Sequence, residues 1–149
     1  MISIEFGSTP VDKSIKAALQ KAAKAVIPEK SIEISIVVCD DDFIQKLNQQ
    51  YRGVDRPTDV LSFPSDEIDP ETNTRYLGDI IISLPRATSQ AIEANHSVID
   101  EVSMLAIHGV LHLLGFDHQT KEDKIAMWEK QDHYLQTLGI SMDRFSGDD

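Results

Sequence analysis

Between residues 98 and 114 apolar side chains stand at most positions: Ile99, Val102, Leu105, Ala106, Ile107, Val110, Leu111, Leu113 and Leu114. They leave almost no polar stripe. Hydrophobicity all round a helix marks a buried one, so this pattern predicts a central helix over 98–114. The remaining segments are patterned for half-burial. Ile2-Ser3-Ile4-Glu5-Phe6 alternates apolar and polar, as a strand does. Ile15, Ala18, Leu19, Ala22, Ala23 and Val26 follow helical spacing, with lysines 13, 16, 21 and 24 on a solvated face. Thr9 is the expected N-cap of that helix, Pro10 its first residue and Pro28 its stop. Ile32 to Cys39 begins by alternating and ends wholly apolar, a strand running into the interior. Asp40 is placed to cap a helix over about 41–51 with Phe43, Leu47 and Tyr51 on one face, and Asp41 and Asp42 suit its positive end.

Gly53 and Pro57 mark 52–58 as a loop. Asp59 to Phe63 reads as a short strand stopped by Pro64, and the polar, acidic stretch 65–74 as an exposed loop. Tyr76 to Ser83 is the next strand, and Ser83-Leu84-Pro85 opens a helix to about Asn95. A last helix runs from about Lys121 to Leu138 through Ile125, Met127, Trp128, Tyr134 and Leu135, ended by Gly139. Residues 144–149 are expected to be a flexible tail. Strands and helices mix without strict alternation. The fold class is therefore α+β: one domain over 1–149, a small mixed sheet packed with helices. The strand at 59–63 or at 76–83 is expected at a sheet edge near the candidate site.

That site lies in the central helix. His108 and His112 stand four apart, so their rings share one helix face, one turn apart. Gly115 is placed to end the helix, because glycine takes the left-handed conformation at little steric cost. The chain can then turn back and bring His118 to the same point. Three imidazoles around one cation leave a fourth position open, the catalytic rather than the structural arrangement for zinc. Iron, nickel and copper accept the same donors. In the protease motif H-E-x-x-H the residue after the first histidine is the general base; here it is Gly109, which has no side chain. Two explanations of that glycine stay open: close approach by a strand or substrate, and tight helix packing. For Glu101, two turns before His108, an exposed first-turn charge is preferred to a role supporting the metal ligands, and neither His96 nor His133 is assigned a role.

Composition narrows the classes. The chain of 149 residues, 41% hydrophobic and 26% charged, has the profile of a soluble globular domain. No apolar run reaches the length of a membrane span, and the N-terminus lacks a signal-peptide pattern. The single Cys39 lies in an apolar strand and reads as core. A cytoplasmic protein is expected. The net charge of −11 opposes broad, non-specific nucleic-acid binding but not a local basic patch. Asp66, Glu67, Asp69 and Glu71 lack the ordered spacing of a calcium loop, so solvation accounts for them.

The segment His108-Gly109-x-Leu111-His112-Leu113-x-Gly115-x-Asp117-His118 resembles the signature of the YbeY family. Tyr51-Arg52 with Thr58-Asp59-Val60-Leu61-Ser62-Phe63-Pro64, then Leu77-Gly78-Asp79-Ile80, then Met127-Trp128, match further blocks of that family. No motif position departs. The resemblance implies a zincin-like fold and one metal, zinc by preference, held by His108, His112 and His118. It implies a metal-dependent endoribonuclease of ribosomal RNA maturation and ribosome quality control, including processing of the 16S 3′ end. RNA and the ribosome or its proteins are the implied partners. It also carries a catalytic role onto Arg52, whose guanidinium can give a phosphate two parallel hydrogen bonds. The base stays open between water at the metal and the RNA 2′-hydroxyl. Asp59, Asp79 and Asp117 are candidates to orient imidazoles, with turn and cap roles equally open. Two rivals stand beside this reading: a zinc peptidase, which lacks its base at Gly109, and a ribosome-binding module with a structural zinc, which suits the acidic surface.

Overall fold

The computed structural model describes residues 2–7 and 11–141, and the Thr9–Pro10 start and the 144–149 tail expected above lie outside them. In chain order the elements are β1 (Ile2–Phe6), α1 (Lys13–Val26), β2 (Ile32–Cys39), α2 (Asp41–Arg52), β3 (Val60–Ile68), β4 (Arg75–Ser83), α3 (Leu84–Ala94), α4 (Val98–Leu113) and α5 (Lys121–Thr137). The strands form one mixed sheet in the order β1-β2-β4-β3. β1 and β4 flank β2 in parallel, and β3 pairs antiparallel with β4 at the edge.

The period-2 alternation sorts the sheet into two faces. Ile34, Ile36 and Val38 of β2, Ile80 and Ile82 of β4 and Val60 of β3 enter the main core with α1 and α4. Cys39, Leu61 and Ile81 face the other way and meet Ile44 of α2 in a smaller cluster. Helix α4 is buried almost throughout, as its all-round hydrophobicity requires, with α1, α3 and α5 packed against it.

Four expectations are corrected. Helix α1 starts at Lys13 with Asp12 at its N-cap. On α2 the docking residues are Ile44 and Asn48, not the Phe43–Leu47–Tyr51 stripe; Phe43 and Tyr51 are exposed and Leu47 only partly buried. The pairing with Leu61 and Ile81 selects Ile44, and Asn48 Nδ2 donates to the Arg56 carbonyl at 2.9 Å, tying down the loop after the helix. Strand β3 does not stop at Pro64: Pro64 pairs with Gly78, the register shifts between Pro64 and Glu67, and the strand runs on to Ile68. Proline is tolerated there because β3 is an edge strand whose outer N–H groups have no ladder partner. On α5 the buried stripe is Met127, Gln131 and Leu135, while Ile125 is exposed.

Candidate metal centre

Helix α4 is pressed against the sheet at Gly109. A Cβ added there would lie 2.8 Å from Ile80 Cγ2, and Ser62 Oγ of β3 donates to the Gly109 carbonyl at 3.2 Å. Strand approach and tight packing, the two explanations left open above, are therefore one: the helix sits on β4, beside edge strand β3. The same contact disposes of a base at this position, since a side chain on residue 109 would run into Ile80.

One residue earlier and three later, His108 and His112 project from α4 with their Nε2 atoms 3.1 Å apart. The helix ends in a Schellman turn. Gly115, at φ 102°, donates to the His112 carbonyl at 3.0 Å, and Phe116 donates to the Leu111 carbonyl at 3.0 Å. A side-chain-bearing residue at that φ would be strained. The reversal brings the His118 ring to 5.2 Å from His112 and 6.2 Å from His108, centroid to centroid. One ring nitrogen from each of the three histidines falls within 4.8 Å of the others. Tetrahedral zinc with bonds of about 2.0–2.1 Å needs donors roughly 3.3 Å apart, close to the His108–His112 separation. Among the described residues this is the cluster of metal-ligating side chains, and no Cys, Asp or Glu joins it as a fourth donor.

Burial disfavours the protonated form of two of the three donors. Burial pushes the His108 imidazole down to about 3, with the neighbouring His112 and His118 charges adding to that effect and a hydrogen bond to Gln131 opposing it. His112 is lowered chiefly by burial, then by His118, against the charge of Asp117 and a backbone hydrogen bond at Phe116. Lone pairs free of protons are what a cation needs. Arg52, the last residue of α2, also disfavours protonation of His112 through its charge. The structure thus brings Arg52 within electrostatic reach of His112.

The aspartates proposed to orient imidazoles do other work. Asp59 Oδ1 accepts from the Val60 amide at 2.8 Å, Asp79 accepts from the Tyr76 hydroxyl, and Asp117 Oδ1 accepts from the His118 amide at 2.7 Å. Gln131 of α5 does meet a candidate ligand ring: its Oε1 lies 2.5 Å from His108 Nδ1. The signal was present: Gln131 stands midway between Met127 and Leu135 in an apolar i, i+4, i+8 stripe. Glu101 is corrected as well. It is buried, with Oε1 2.5 Å from His96 Nε2, rather than an exposed first-turn charge. Cys39 is core as expected, its thiol pushed up to about 12 mainly by burial.

Comparison with known proteins agrees with this geometry. The family model for endoribonuclease YbeY matches residues 3–139. An endoribonuclease YbeY of Lysinibacillus sphaericus is 45% identical over 136 residues, covering 87% of each chain. One of Pelotomaculum thermopropionicum is 43% identical over 148 residues, covering 95% of this chain and 97% of the relative. The solution structure of TM1509 from Thermotoga maritima superposes with a TM-score of 0.62 at 34% identity, over 93% of this chain and 89% of that one.

Proposed function

The chain belongs to the endoribonuclease YbeY family, hydrolytic enzymes that cut RNA, and from that membership and its convergent imidazoles we propose a zinc-dependent, single-strand-specific endoribonuclease of ribosomal RNA maturation. One domain carries the activity. The assigned metal ligands are His108, His112 and His118, and the substrate is the ribosomal RNA precursor, 16S 3′ end included, met in the cytoplasm with the ribosome or its proteins as partners. Among the described residues no helix is long and apolar enough to cross a membrane.

The observation that carries the reading is the donor set itself: three imidazoles converge on one point, burial disfavours protonation of His108 and His112, and among the described residues no fourth side chain joins them. Zinc, when bound, supplies Lewis acidity toward a phosphodiester oxygen and toward water. The protein's own groups do the rest. Burial holds His108 and His112 as neutral donors at pH 7. Arg52 keeps its charge at any physiological pH and matches a phosphate with two parallel N–H donors, positioning the scissile group and offsetting negative charge that develops on it. The peptidase alternative is disfavoured by Gly109, which supplies no base and has no room for one.

The test is cleavage of a labelled single-stranded RNA by purified wild type, His112→Ala and Arg52→Ala, with metal content measured on the same samples. Cleavage by wild type alone, with metal retained in Arg52→Ala, is expected. Removing a charged hydrogen-bond donor should lower the rate of Arg52→Ala by about ten- to a hundredfold, equivalent to roughly 1.5–3 kcal/mol. Equal cleavage by all three would identify a contaminating nuclease and leave the ribosome-binding module standing.

A further inference from the structure

A glutamine buried in the apolar stripe of a helix requires an explanation. Gln131 is 1% exposed, between Met127 and Leu135 on the face that α5 turns to α4. An unpartnered amide there would carry a desolvation penalty, and leucine or methionine would fill the stripe without it. Its oxygen meets the ring of His108, a residue 23 positions away on another helix and itself 2% exposed.

We propose that Gln131 is the positioning residue of the metal centre: by accepting the Nδ1–H of His108 it fixes the tautomer whose bare Nε2 faces the other two histidines. The proposal rests on the three-histidine metal reading above. An imidazole carries one proton in its neutral form, and the hydrogen bond made by one nitrogen decides the state of the other. With Gln131 Oε1 at Nδ1, the proton stays on Nδ1 and the lone pair on Nε2. With the amide turned over, its N–H would donate to Nδ1, the proton would sit on Nε2 and His108 would be lost as a ligand. A partner on the second nitrogen also holds the ring plane, and its removal typically costs 10–100-fold in metal affinity. Because that partner comes from α5, the site is completed by an element beyond the His108–His118 motif.

The experiment measures Zn2+ dissociation constants of metal-free wild type, Q131L and Q131E by competition with a chromophoric chelator. It is paired with ¹⁵N spectra of the histidine rings in the metal-free proteins and with urea unfolding of each. Q131L, which keeps the apolar volume and loses the acceptor, is expected to bind Zn2+ about 10–100-fold more weakly. Q131E, which keeps an acceptor, should stay at or above wild-type affinity. In wild type the His108 signals should show protonated Nδ1 and bare Nε2, and in Q131L that preference should be lost. A merely structural glutamine would alter the urea midpoint and not the tautomer. Should Q131L fail to fold, the wild-type ring spectrum and the Q131E affinity still decide. A wild-type His108 protonated on Nε2, or a Q131L affinity within twofold of wild type, overturns the proposal alone. A wild type that binds no Zn2+ defeats the metal site and the proposal together.

Discussion

Histidines stand beside both ends of helix α4, in two clusters of ionisable groups built on opposite electrostatic plans. At the N-terminal end, His96 Nε2 meets Glu101 Oε1 at 2.5 Å, and the Asp59 carboxylate lies near enough to act on Glu101. At the C-terminal end, His108, His112 and His118 converge with no carboxylate in their donor set. The first cluster contains its own counter-charge and is complete within the protein. In the second, Asp117 acts on His112 through its charge, and the neighbouring histidine charges disfavour protonation of His108 and His112. Like donors gathered around a buried His108 favour the neutral state or a supplied cation. That contrast separates a structural pair from a binding site more sharply than the presence of histidine does.

The largest test of the contrast is to remove one member from each cluster. His112→Ala should abolish stoichiometric metal and lower RNA cleavage by roughly a thousandfold or more, since several kcal/mol of charge stabilisation depends on the bound ion. Its metal-free fold should persist, with circular dichroism unchanged. A His112→Ala protein that retains one equivalent of metal would refute the ligand assignment. Glu101→Ala should show the reverse profile. Removing one partner of a buried pair typically costs about 3–5 kcal/mol, and the partial exposure of His96 places this one near the lower end. Urea denaturation reads that loss, while metal content stays at wild type. If Glu101→Ala lost metal and kept its stability, the division between the two ends would be wrong.

Next in size is the pH dependence of the metal-free protein, where the two ends should pull in opposite directions. His108 is neutral in the folded chain down to about pH 3, against 6.5 for the ordinary imidazole. The unfolded chain therefore takes up a proton below 6.5 that the folded chain refuses, and stability falls as the pH drops from 6.5. The loss approaches about 1.4 kcal/mol per pH unit for one such group. His112, also lowered, adds in the same direction. Glu101 is raised, chiefly by burial, with the His96 hydrogen bond opposing. The folded chain then holds its proton more tightly than the unfolded one. Its contribution is greatest below the ordinary carboxylate value of 4.5 and is lost as pH rises through the raised folded value. Unfolding curves between pH 4.5 and 8 should show the acid-side slope flattened in a His108→Phe variant and the opposing slope removed in Glu101→Gln. An acid-side slope unchanged in the His108 variant would mean that burial does not hold this ring neutral.

The convergence of the three histidines was legible in the sequence because it is local. A four-residue spacing on a helix and a glycine three residues later define directions that tertiary packing need not supply. The central helix was legible for a similar reason, its burial being written into nearly every residue. The partners of Gln131 and Glu101 were not: the stripe position of Gln131 marks it for burial, but what either residue meets is set by how α5 and the α3–α4 turn dock on α4. A polar residue alone looks the same whether it faces water or a buried ring. Pro64 misled because its usual veto on strands lapses at an edge, and edges exist only once strand order is known. The Phe43–Leu47–Tyr51 stripe misled because a helix laid on a narrow apolar patch buries fewer residues than its sequence offers.

The smallest effect tests how tightly the site is tied to the sheet. Gly109→Ala gains about 1 kcal/mol of helix propensity and loses more to crowding. The new methyl would sit 2.8 Å from Ile80 Cγ2 and 3.2 Å from Cγ1 and Cδ1. Ile80 is fully buried and β-branched, so it has little freedom to swing aside. Overpacking of this kind costs about 1–3 kcal/mol, which leaves a net destabilisation near 1 kcal/mol. The strain is relieved most simply by lifting α4 from β4, and His108 moves with it because it is the adjacent residue. Urea denaturation should therefore show a small loss, and chelator competition a weakening of Zn2+ binding below tenfold. A Gly109→Ala protein more stable than wild type would mean that Ile80 yields, and that the glycine is not there to let the helix rest on the sheet.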